Sequence, residues 1–168
     1  AVETARDQIA TFIGARAHDI TFTGGATESN NLALKGVVRA HRSGHRSRIV
    51  TVVTEHQSVL ETCDALEREG CEITRLAVGP DGIIDLDDLR RSLETPTLLV
   101  SIMVANGEIG VLQPIAHIAA IVHAAGALLH SDASQAAGKV PLNAQALGVD
   151  LMVFTAHKMY GTKGIGAL

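Results

Sequence analysis

The chain has 168 residues, 46% of them hydrophobic and 19% charged, which suits one soluble domain with its own core and argues against disorder. A net charge of -4 and an aromatic content of 2% exclude the basic, base-stacking surface that nucleic-acid binding needs. No apolar run approaches the roughly 18–20 residues that span a bilayer, so neither nucleic acid nor membrane is an expected partner.

In chain order, a helix is expected over 3–14, a strand over 20–23 and a helix over 27–43. A strand at 48–54 and a helix at 57–69 follow, the latter stopped by Gly70. Next come a strand at 72–78, a turn at Pro80-Asp81-Gly82, a helix at 86–93 and a strand at 98–104. The remainder reads as a helix at 115–125, a strand at 128–131, a short helix at 143–147, a strand at 151–155 and a last apolar strand over 164–168. Apolar runs alternating with amphipathic helical stretches predict an α/β fold with three layers, a mainly parallel sheet and flanking helices. The opening residues have no initiator methionine and do not resemble a signal peptide, and the chain stops within a strand. We therefore expect a cytoplasmic or organellar-matrix protein of which this is an excised piece.

Ligands of open α/β sheets collect outside the carboxyl ends of the strands, and the reactive side chains fall just after predicted strands. Gly24-Gly25-Ala26-Thr27 between a strand and a helix offers either a phosphate cradle or an ordinary N-cap. His56 is either a proton-exchanging imidazole or a surface residue at a helix start. Asn106 beside Gly107 suits a turn. Asp132, behind Leu128-Leu129, is partly buried and needs a cationic or donor partner unless it caps a helix. His130 and Asp132 lack a third metal ligand at convincing spacing, so no metal is expected. Lys158 follows the apolar run 151–154 and precedes a glycine-rich turn, where a desolvated amine attacks carbonyls; its alternative is a solvated surface lysine. Cys63 and Cys71 offer neither a disulfide framework nor metal-ligand spacing, and Cys63 lies in a helical pattern as a small buried thiol.

Five blocks in one order carry a resemblance: 22–31 (Phe-Thr-Gly-Gly-Ala-Thr-Glu-Ser-Asn-Asn), 54–60, 106–110, 130–139 and Thr155-Ala156-His157-Lys158 with the glycines after it. They resemble the pyridoxal-phosphate (PLP) enzymes of the class V aminotransferase group, most closely cysteine desulfurases and selenocysteine lyases. The resemblance implies the large domain of the PLP-dependent transferase fold type I over 1–168, without the family's N-terminal segment and C-terminal small domain. It implies that Lys158 holds the cofactor as a Schiff base, that Ala26 and Thr27 bind its phosphate with Thr155 and His157, and that Asp132 pairs with the pyridinium nitrogen. It further implies that Gln135 bonds the phenolic oxygen, that Asn106 contacts cofactor oxygen and substrate, and that His56 stacks on the ring and shuttles protons. Two departures from the family pattern stand at Gly107, commonly asparagine, and Thr162, often proline.

The expected activity is removal of sulfur from L-cysteine to give L-alanine and an enzyme persulfide for a sulfur-acceptor protein in iron–sulfur or thio-cofactor assembly. The resemblance places the sulfur-attacking cysteine and the substrate-carboxylate arginine downstream of Lys158, and implies a homodimer. Cys63 and Cys71 precede Lys158 and match no nucleophile motif. A selenocysteine lyase or another class V member is the alternative. A catalytically silent α/β interaction module has no physical need for such side chains at successive strand ends.

Overall fold

The computed structural model describes residues 1–41 and 47–168. Helix α1 (Val2–Ile13) ends at Gly14, whose φ of 67° is the left-handed conformation that closes helices. A 3-10 turn (Ala17–Asp19) leads into β1 (Phe22–Thr23), and α2 (Ala26–Ala40) follows. The expected helix 27–43 thus starts one residue early, and its last two residues lie outside the described residues. Alternating units continue with β2 (Arg48–Val52), α3 (Gln57–Arg68), β3 (Glu72–Leu76), α4 (Leu86–Ser92) and β4 (Leu99–Ser101). A small hairpin, β5 (Ala105–Asn106) with β6 (Val111–Leu112), precedes α5 (Ile115–Ala124), β7 (Leu128–Asp132), α6 (Ala144–Leu147) and β8 (Leu151–Thr155). A second 3-10 turn (Ala156–Met159) and β9 (Gly166–Ala167) complete the chain.

The seven-stranded sheet has the order β1-β9-β8-β7-β4-β2-β3. Strands β3, β2, β4, β7 and β8 are parallel, and β9 runs against both of its neighbours. Consecutive residues of the central strands face opposite layers. Ile49, Leu99 and the half-buried Leu128 and Leu151 pack with Leu34, Val59, Cys63 and Leu66 of α2 and α3. Val50, Val100, Leu129 and Met152 pack on the other side with Leu89 and Ile118 of α4 and α5 and with Ile13 of α1. Both faces are covered, which is why these strands read as unbroken apolar runs instead of alternating ones.

One polar row crosses this interior beneath α2 and α3. Thr51 Oγ1 donates to the Ser101 carbonyl at 2.9 Å, and Ser101 Oγ lies 2.8 Å from His130 Nδ1. Burial lowers the His130 imidazole to a pKa of about 4, partly opposed by the Asp132 charge.

From β2 the chain moves outward to β3, then returns past β2 to β4 and on to β7 and β8. The order reverses between β2 and β4, and a crevice opens beyond the carboxyl ends of the strands at such a point. No helix among the described residues is long and apolar enough to cross a membrane.

Candidate active site

A crevice of about 1130 Å3 lies at that end of the sheet, and every residue singled out above for the cofactor lines it. Ala26 and Thr27 enter from the start of α2, His56 from the turn after β2, and Asn106 from the hairpin after β4. Asp132 ends β7, Gln135 lies in the turn beyond it, and Thr155, His157 and Lys158 leave β8 together. Residues more than a hundred positions apart converge because parallel strands present all their carboxyl ends on one side.

The wall formed by α2 suits an anion. Its N-cap is Gly25, and no side chain caps it. Thr27 makes no capping bond, and Ser29 Oγ lies 2.7 Å from Thr23 Oγ1. A fifteen-residue helix therefore points uncapped first-turn amides and its positive dipole end into the crevice. Glu28 Oε2 accepts from the Gly24 amide at 2.6 Å on the rim of the same turn.

Asp132 is 5% exposed. Its Oδ1 accepts from the Ser134 amide at 2.8 Å and its Oδ2 from Asn30 Nδ2 at 2.8 Å. Each oxygen keeps a lone pair, so the carboxylate can still receive a charged N–H from the crevice. Neither oxygen caps a helix, since 134–139 are turns.

On the adjoining strand, Thr155 is buried and donates its one hydroxyl hydrogen to the Ile165 carbonyl at 3.1 Å. His157 Nδ1, 3.0 Å from Thr155 Oγ1, is then the donor to that oxygen. Lys158 sits in the 3-10 turn with its side chain exposed to the crevice, not desolvated as its place after an apolar strand suggested: the 3-10 turn swings the chain out of the sheet before Lys158 is reached. The turn closes at Tyr160, the one non-glycine residue with positive φ (62°) among those described. Lys163 and Gly164 add a second amine and open backbone to the same wall.

Asn106 is engaged as a turn former. Its Oδ1 accepts from the Glu108 and Ile109 amides at 2.8 and 3.2 Å, and its Nδ2 donates to the Thr54 carbonyl at 3.0 Å, which ties the hairpin to the end of β2. Gln135 Oε1 accepts from Lys139 Nζ at 3.0 Å. Gly107 leaves Gln135 room: a Cβ there would lie 2.6 Å from Gln135 Cδ, so the departure from asparagine acts on the predicted oxygen-binding amide.

Three site residues escaped the sequence reading. Glu55 lines the crevice beside His56 at 6% exposure, with Oε1 accepting from the Met103 amide at 2.5 Å. Burial raises its carboxyl well above the usual range. Asn30 and Ser58 lie behind His56 and Asp132. Their signal was spacing: Ser29 and Asn30 stand four residues before Ala33 and Leu34, on the stripe of α2 that faces the sheet.

The sequence model described as "Aminotransferase class-V" matches residues 1–168. The "Cysteine desulfurase IscS" of Rickettsia rickettsii (strain Iowa) is 49% identical over 168 residues, covering 100% of this chain and 41% of that protein. The "Cysteine desulfurase, mitochondrial" of Drosophila melanogaster is 50% identical over the same span and 36% of its own length. Among solved structures, a "NIFS-LIKE PROTEIN" superposes with a TM-score of 0.94 at 38% identity over 98% of this chain and 46% of that one. "SspA in complex with cysteine" superposes equally well, 0.94 at 35% identity, over 99% of this chain and 48% of that one. The chain spans less than half the length of these relatives.

Proposed function

The chain belongs to the class-V aminotransferase family, and from that premise we propose that residues 1–168 are the PLP-binding large domain of a cysteine desulfurase. The observation that carries this reading is the meeting of three unlike groups in one crevice: the uncapped start of α2, the buried Asp132 on β7 and the amine of Lys158 after β8. Their chemistry matches, in turn, a phosphate, a pyridinium nitrogen and a carbonyl. The names of the relatives, and the solved complex of one similar protein with cysteine, support the choice of substrate.

The bound cofactor supplies withdrawal of electrons from the substrate's α-carbon. Lys158 would hold it covalently, and its amine, when free, would carry a proton. Asp132 would keep the cofactor's ring nitrogen protonated through charge pairing. The α2 amides with Thr27 would anchor the phosphate, joined by Thr155 and His157 once their hydrogens turn from the Ile165 carbonyl and Thr155 Oγ1 to the anion; Gln135 and Asn106 would hold the cofactor's oxygen, and His56 would lie against the cofactor and exchange protons. A protein thiolate would take the sulfur, forming an S–S bond as the substrate's Cβ–S bond breaks and Cβ gains a proton, to give L-alanine and a persulfide for transfer to an acceptor protein. That thiol is neither Cys63 nor Cys71, since both are buried; the proposal puts it in the part of such proteins that this chain does not span. We also propose a cytoplasmic homodimer, to which the exposed Phe12, Tyr160 and Ile165 offer apolar contact.

Absorbance of the protein with PLP, before and after borohydride, tests the reading. The expected result is a band near about 400 nm, fixed by borohydride onto Lys158 and missing in Lys158→Ala. A folded sample that gives the same band in both proteins, or none in either, overturns it.

A further inference from the structure

Asn30 is fully buried in α2, and its amide reaches groups on both sides of the crevice. Nδ2 donates to Ser58 Oγ at 2.9 Å and to Asp132 Oδ2 at 2.8 Å. An amide nitrogen has two hydrogens, so both bonds form together. The reversed amide would set a carbonyl oxygen against a carboxylate with nothing to donate, so the orientation is fixed. Ser58 Oγ accepts from Asn30, and its single hydrogen is left to donate. His56 Nδ1 lies 2.8 Å from that oxygen. The Ser58 backbone N–H, which can only donate, reaches the same ring nitrogen at 3.1 Å. Two donors converge on Nδ1, so Nδ1 is an acceptor and the proton of the neutral ring sits on Nε2.

We propose that Asn30 is a positioning residue which, through Ser58, fixes His56 in its Nε2–H form while holding Asp132 Oδ2 in place. The functional meaning of this arrangement rests on the PLP reading of the crevice. His56 then gives and takes its proton only at Nε2, the ring nitrogen remote from Ser58. His157 is set the opposite way: Thr155 needs its Nδ1 as a donor, so its neutral ring carries the proton on Nδ1. One buried amide thereby orients the carboxylate and, through Ser58 Oγ, adds to the Ser58 backbone N–H in setting the tautomer of the imidazole.

The test is the ring 15N spectrum of selectively 15N-histidine-labelled full-length protein at about pH 8.5, where imidazoles are neutral. It is recorded with and without PLP, and His56 is assigned with His56→Gln. Wild type is expected to show His56 as Nε2–H. Ser58→Ala and Asn30→Ala should each raise the Nδ1–H fraction about 3- to 10-fold, the worth of one neutral hydrogen bond. Ser58→Thr, which restores the hydroxyl, should return the wild-type ratio, whereas a role confined to packing predicts no difference between the alanine and threonine variants. Should Asn30→Ala not fold, the Ser58 pair decides. A wild-type His56 in the Nδ1–H form, or equal ratios in Ser58→Ala and Ser58→Thr, overturns the proposal. Borohydride capture at Lys158 is scored on the same samples; its failure strikes the cofactor reading alone, because the tautomer is read equally in protein without PLP.

Discussion

Cys63, fully buried in α3, has its thiol pushed up to about 12 by burial, with the nearby Arg75 charge acting the other way. At pH 8 about one molecule in ten thousand would carry the thiolate, the species that reacts. Native protein treated with a thiol reagent at pH 8 should leave Cys63 unmodified by mass spectrometry, with labelling only on denaturation; rapid native labelling would contradict the burial described. Glu55 and His130 set opposite limits on stability. The folded state keeps the Glu55 proton above its ordinary value of 4.5, so it binds more protons than the unfolded chain, and stability is lost as pH rises from there. His130 is the reverse: it resists protonation until about pH 4 instead of 6.5, so its contribution is present above pH 6.5 and lost as pH falls toward 4. Glu55→Gln should gain Tm over wild type progressively from pH 5 to 8. His130→Asn, although less stable overall, should flatten the decline between pH 6.5 and 4. Denaturation across that range checks both.

At the level of elements, β9 approaches the turn before α2 backbone to backbone. A Cβ on Gly166 would lie 2.6 Å from Gly25 C and 2.7 Å from Gly25 Cα, and backbone cannot step aside as a side chain can. Overpacking of this sort costs about 1–3 kcal/mol, or about 3–10 °C in a chain of this size, so Gly166→Ala should lower Tm by that much and weaken PLP binding through the displaced turn. Gly36→Ala is the control. That position in α2 is exposed, with nothing within 4 Å of an added Cβ, and the exchange should raise Tm slightly by improving helix propensity. A fall in Tm for both, or for neither, would refute the close approach. The doubly covered strands were the legible elements, since 151–155 is apolar sequence and Thr, buried from Met152 on. Short elements were not: the Ala105–Asn106 and Val111–Leu112 hairpin lies in a glycine-bearing loop with no period to read, and β4 stops at Ser101 although apolar residues run to Val104. There burial continues beyond the ladder, and hydrophobicity alone cannot tell the two apart. The turn Ala156–Met159 was hidden for the same reason, and it explains why Lys158 stands exposed.

For the whole molecule, ligand binding and stability are one measurement. A ligand held only by the folded state adds about 2.7 kcal/mol at a hundred times its Kd, so PLP should raise Tm by about 5–10 °C. Lys158→Ala should keep a smaller rise from the phosphate and Asp132 contacts; no rise in either protein would count against the crevice as the binding site. The site groups were legible because each stands at a strand end and the sheet brings those ends together. Asn30 and Glu55 were not, because their partners are distant in sequence: Asn30 meets Asp132 across 102 positions and Glu55 meets Met103 across 48. The same long-range closure bears on how the protein is born. Phe22 pairs with Ala167, and among the described residues β1 has no other neighbour in the sheet. During synthesis at about 5–20 residues per second, the first strand and the turn that follows it therefore wait many seconds for their partner to leave the ribosome. On the proposed reading, the vitamin-derived group would be no early folding template: its phosphate turn, packed on β9, would be complete only after Gly166 and Ala167 have been translated.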